Sequence, residues 1–100
     1  MSKIAVKKLS FNPSLAPDVA GYKLYIEEAP AQVTYQSQSF DLGDQTNNID
    51  LGAVIGEQDG TFNIGLTAYD DAGNESDMYL MGEFPLDFTA PDAPSGGTIT

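Results

Sequence analysis

TFNIGLTAYDDAGNESD, residues 61 to 77, carries two signals in succession. In its first half Phe62, Ile64, Leu66 and Ala68 share one parity, and Asn63, Gly65, Thr67 and Tyr69 the other. That is the period of a strand with one buried face, because successive side chains of extended backbone point to opposite sides. The second half crowds Asp70, Asp71, Glu75, Asp77 and Asn74 around Gly73. Such a cluster is turn chemistry: Gly73 supplies a positive φ, Asn74 tolerates the left-handed region, and Asp70 or Asp71 accepts backbone N–H bonds.

Working outward, GYKLYIEE (21–28) repeats the alternation, with Tyr22, Leu24 and Ile26 on one face and Lys23, Tyr25 and Glu27 on the other. Weaker strand signals lie in VTYQSQSFDL (33–42), NNIDLGAV (47–54) and MYLMGEFPL (78–86), separated by Ala29-Pro30, Gly43-Asp44 and Asp59-Gly60. Glycine or proline interrupts nearly every window with helical apolar spacing, so no amphipathic helix is expected. Short strands at this spacing predict an all-β antiparallel sandwich, with strands near 4–11, 21–27, 33–42, 47–54, 61–70 and 78–87. The predicted core is Leu9, Phe11, Tyr22, Leu24, Ile26, Ile49, Leu51, Phe62, Ile64, Leu66 and Ala68. In the first strand Ile4 and Val6 are out of phase with Leu9 and Phe11; a bulge or break near Lys7-Lys8 would return both pairs to the core.

A chain of 100 residues has room for one core, and without cysteine it has neither disulfides nor thiolate metal sites. The charge is lopsided. All four cations, Lys3, Lys7, Lys8 and Lys23, lie in the first 23 residues, while every acid of the 15 except Asp18 lies beyond them. Nucleic acid and anionic membranes need clustered cations, so neither is an expected partner. No apolar run is long enough for a signal peptide or a membrane span. Residues 89–100, TAPDAPSGGTIT, change character and read as a linker toward a following domain or a disordered tail, leaving 1–88 as the domain.

The order of these features resembles a known family. SFNPSLAPDVAGYKLYIEE is similar to the start of bacterial fibronectin type III domains, where strand B leads through a Pro-Asp-Val-Ala-Gly turn into strand C. DGTFNIGLTAYDDAGNESD resembles the family's strand F and the turn into strand G. The resemblance covers roughly residues 3–88 and implies an immunoglobulin-like sandwich that acts as a non-catalytic spacer or protein-binding module of a larger, exported or cell-surface bacterial protein. It also marks departures. Phe11 stands where the family has a core tryptophan, and Phe62 takes the tyrosine-corner position without a hydroxyl. Too few residues precede Phe11 for a complete strand A. Either domain boundaries fall one strand late in a tandem array, or the exposed edge of strand B pairs with the C-terminal segment or a neighbouring molecule.

The absence of His and Cys removes the common catalytic triads and zinc sites, so an enzyme is not expected and no catalytic or cofactor residue is assigned. Calcium is the sharper alternative for the acidic loop, with Asp70, Asp71, Asn74, Glu75 and Asp77 as ligand candidates. The loop does not fit an EF-hand, whose glycine follows three ligand positions and whose twelfth position is acidic. Asp41, Asp44 and Asp50 form a second acidic patch, read as solvated surface. Tyr25, Tyr35 and Tyr69 alternate onto expected outer faces, where they would offer an aromatic platform to a glycan or a protein. Asn74-Glu75-Ser76 fits the N-glycosylation pattern, which in a sequence of bacterial character reads as coincidence.

Overall fold

A computed structural model describes residues 2–100. Its regular structure is mostly β: β1 (Lys8–Leu9), β2 (Gly21–Glu28), β3 (Gln38–Gly43), β4 (Ile49–Asp50), a one-turn helix α1 (Leu51–Ile55), β5 (Gly60–Tyr69) and β6 (Tyr79–Leu86). β1 and β4 pair as a two-stranded sheet, and the other four form a second sheet in the order β3-β2-β5-β6, antiparallel throughout. The strongest sequence alternations become the two central strands. Leu24 stands opposite Leu66 and Ile26 opposite Ile64, so both apolar parities point the same way.

The core lies under that face. Leu9, Tyr22, Leu24, Ile26, Ile49, Leu51, Phe62, Ile64 and Leu66 are buried in it, as expected, together with Leu42, Ile55, Leu86 and Phe88. Phe11 and Ala68 are half-buried against its margin, and the Phe11 ring meets Tyr22 edge-on at 5.2 Å. Phe88 is fixed by Asp59, whose carboxylate accepts its backbone N–H at 2.6 Å and also the Thr89 hydroxyl. From Pro91 to Thr100 every residue is exposed.

Three strand expectations need correction. The stretch 47–54 is not one strand: pairing ends at Asp50, whose side chain accepts the Ala53 N–H at 3.2 Å and caps α1. Gly56, with φ of 80°, closes the helix, and its N–H reaches the Gly52 carbonyl. An Asp N-cap six residues before a left-handed Gly was a helix signal, and Leu51 and Ile55, one turn apart, bury the same face. The stretch 33–42 is extended only from Gln38, because Thr34 and Ser37 close a turn in which the Ser37 N–H reaches the Thr34 carbonyl at 3.0 Å. In the N-terminal arm only Lys8 and Leu9 form ladder pairs. Two flanking bonds, Leu51 N–H to Lys7 O and Phe11 N–H to Thr46 O, tie its ends to the β4 region. Ile4 packs against the core margin, but Val6 is 63% exposed, so the phase break does not return both residues to the interior.

Gly21 shows how tightly the central sheet is built. A methyl group added there would lie within contact distance of the Tyr69 ring and 2.9 Å from the Gly43 carbonyl oxygen, on backbone that cannot swing away. Gly21→Ala should therefore destabilise the fold by about 2 kcal/mol, as overpacking does, measured by urea unfolding. A loss below about 0.5 kcal/mol, the scale of neutral surface changes, would show that β2, β3 and β5 are not packed this closely.

Candidate functional site

The β5–β6 loop folds back over the sheet instead of projecting from it. Tyr69 bridges Glu75, the Ser76 N–H returns to the Ala68 carbonyl at 2.8 Å, and the Ser76 hydroxyl accepts the Ala68 N–H at 2.9 Å. Inside the loop Asp70 acts as the organising acceptor. Its carboxylate takes the backbone N–H groups of Ala72 at 3.0 Å and Asn74 at 2.9 Å, and the Asn74 side-chain amide at 3.1 Å. These bonds, the Asn74 side chain first, hold its carboxyl below the usual aspartate range. Gly73 adopts the expected positive φ, 87°, whereas Asn74 does not use the left-handed region.

The five calcium candidates are thus divided among different tasks. Asp70 and Asn74 bond to each other, Asp71 and Asp77 are exposed, and Glu75 turns onto the outer face of the four-stranded sheet. There Glu75 accepts the Tyr25 hydroxyl at 2.5 Å, the Thr67 hydroxyl at 2.9 Å and the Lys23 ammonium at 3.4 Å. Among the described residues no three acidic side chains converge as a metal-binding group. The hydrogen bond from Tyr25, and after it those from Thr67 and Lys23, keep the Glu75 carboxyl below the ordinary glutamate range against the opposing effect of desolvation. Reciprocally, burial and then the Glu75 carboxylate push the Tyr25 phenol up to about 12.

The tyrosine platform is not assembled. Tyr25 is 3% exposed, a correction to its expected outward, accessible position. The 29–37 connection and the β5–β6 loop close over it, with Met78 and the buried Val33 seated against Gly65, its ladder partner. Tyr35 packs edge-on to Tyr25 at 6.0 Å and donates its hydroxyl to the Ser76 carbonyl at 2.8 Å. Tyr69 lies across Gly21 and donates to Asp41 at 2.8 Å. The Tyr25 hydroxyl ties the β5–β6 loop to the sheet, that of Tyr35 ties the 29–37 connection to the same loop, and that of Tyr69 ties β5 to β3.

Period-two alternation missed this outer cluster because it marks which residues share a face, not whether a loop later covers that face. One signal was present: a glycine inside a strand often marks a close approach, and Gly65 has room only because Met78 Sδ and Cγ occupy the place of its missing side chain. The second acidic patch is also part of the scaffold in two of its members. Asp41 accepts the Gly43 N–H and the Tyr69 hydroxyl, which lower its carboxyl in that order, and Asp50 caps α1. Asp44 is exposed.

Among the described residues no helix is long and apolar enough to cross a membrane. Comparison of the chain with protein-family models, curated proteins and solved structures found no match.

Proposed function

We propose that this chain is a non-catalytic β-sandwich module of the fibronectin type III plan, acting as a spacer or protein-binding domain within a larger bacterial protein. The observation that carries this reading is the pairing order. On this reading β2, β5 and β6 would be strands C, F and G of the four-stranded sheet, beside β3, and β1 and β4 would be strands B and E of the two-stranded one. That is the partition used by immunoglobulin-like sandwiches. The two sequence stretches that resemble the family supply strands C and F at the centre of the larger sheet.

The chemistry supports a structural role for the same residues that composition made conspicuous. Asp41, Asp50, Asp59, Asp70 and Glu75 each hold a backbone or side-chain donor of the scaffold. The outward surface is left to the remaining acids, which keep the module dispersed. An exported or cell-surface parent fits the same reading, with neighbouring domains as the nearest partners.

The alternative, a calcium-dependent glycan- or protein-binding module using residues 70–77, is addressed by one titration. Calcium and magnesium, added to the domain at equal ionic strength, should raise the thermal midpoint equally and shift amide signals of many acids slightly, because both act by screening a net charge of −11. A saturable, calcium-specific shift confined to residues 70–77, with a higher midpoint in calcium than in magnesium, would overturn the spacer reading.

A further inference from the structure

We propose that the open groove between the 10–14 segment, which follows β1, and β6 receives residues 96–100 of a second copy of this chain as an added extended strand, so that copies join head to tail. This deepens the reading of the chain as an interaction module and commits it to a partner.

The groove has a volume of about 610 Å³; Phe11, Tyr22, Leu66, Ala68, Tyr79 and Met81 form its apolar part, and the rest of its lining is polar and includes Asp77. It lies at the margin of both sheets: among the described residues the only ladder partner of β1 is β4, and that of β6 is β5. An edge strand with unpaired N–H and C=O groups is a template for another strand unless it is blunted. β6 is interrupted by the register shift between Leu80 and Gly82 and blunted in its second half by Glu83 and Pro85. Its first half borders the groove and presents Tyr79 and Leu80, 64% and 57% exposed, with no lysine or arginine anywhere in the strand.

The occupant is drawn from the exposed segment 91–100. Residues 91–100 are all exposed, and the surroundings of Gly96 and Gly97 are empty. The molecule measures 69 × 27 × 17 Å. Ten residues of strand reach about 33 Å, enough to leave one body and enter another. Within this segment Thr98-Ile99-Thr100 alternates polar, apolar, polar and is β-branched throughout, which suits strand addition. Ile99 is the one large apolar side chain beyond Phe88 and is fully exposed. It fits the apolar part of the groove while the two threonines face outward.

A contact of this kind is heterologous and does not close on itself, so association should continue past the dimer as concentration rises. With so short a strand the expected dissociation constant is about 0.1–1 mM, tighter in added salt, which screens repulsion between like-charged copies. The test is sedimentation velocity of the full chain across that concentration range, combined with amide shifts on dilution. The expected result is a mass that grows beyond two copies, with shifts at Phe11, Tyr79 and Met81. Ile99→Asp, at a fully exposed position, and Tyr79→Lys, at the edge, should each weaken association at least about tenfold. A monomer throughout, association unchanged by Ile99→Asp, or groove shifts that do not change on dilution because the segment folds onto its own body, would each overturn the proposal. None of these outcomes touches the spacer reading, which the calcium and magnesium comparison tests separately.

Discussion

Leu24→Ala should remove about 3 kcal/mol of stability, the largest loss expected from any single truncation in this chain. Leu24 is completely buried, in the central strand β2, with Phe40 of β3 and Leu66 of β5 as its ladder neighbours. Both flanking strands are hydrogen-bonded to β2 and cannot move in to fill the space. The cost is therefore the lost transfer of the side chain plus most of the cavity left behind. For a domain of this size that corresponds to a fall in thermal midpoint of about 15 °C. Urea unfolding should show a lower midpoint concentration with an unchanged slope, since the surface exposed on unfolding hardly alters. Leu15→Ala is the matched control, because Leu15 is 99% exposed and its truncation should stay within about 0.5 kcal/mol. A loss at Leu24 no larger than at Leu15 would mean that the face of β2 assigned to the core does not face one.

The same contrast explains how much was legible in the sequence. β2 and β5 were readable because each is long, central and buried on the face its apolar parity marks; their neighbours only confirm a pattern already present in the residues. The short elements were not readable in that way. Ile49 and Leu51 satisfy a strand pattern and a helix pattern equally, and the decision falls to Asp50 and Gly56, which cap a single turn. Leu42 and Leu86 reach the core from the ends of β3 and β6, and Phe88 through the Asp59 anchor, which are long-range facts. At the acidic loop the residue types were correctly read as turn formers, with Gly73 and Asp70 in the roles expected of them. What composition alone could not indicate was the direction of Glu75. Its partners Tyr25 and Thr67 are 50 and 8 residues away, brought together only by the pairing of β2 with β5 and the folding back of the loop.

That direction gives the second large effect. Glu75→Ala should cost about 2 kcal/mol, because it leaves the buried Tyr25 and Thr67 hydroxyls without their acceptor. Glu75→Gln, which keeps an acceptor oxygen but not the charge, should cost less. The ion pair with Lys23, at 3.4 Å and partly exposed, contributes little of this. A double-mutant cycle with Tyr25→Phe separates the hydrogen bond from lost packing, with an expected coupling of about 1 kcal/mol. The pH dependence follows from the two shifted groups. Glu75 has its pKa lowered by folding, so its contribution is present above the unfolded value, about 4.3, and is lost as pH falls through the folded one. Tyr25 has its pKa raised to about 12, so its contribution is complete below the unfolded value near 10 and is lost as pH rises toward 12. Asp41, Asp59 and Asp70 are lowered as well and add to the acid limb, so Glu75→Gln should shrink that limb without abolishing it. On the alkaline side the variant should bring the Tyr25 phenol back toward 10, as followed by its ring carbon shift, though burial alone keeps it from returning fully. A Tyr25 titration identical in both proteins, together with zero coupling in the cycle, would mean that the acidic loop is not fastened to the sheet through Glu75. The turn would then be free to offer its carboxylates to a cation.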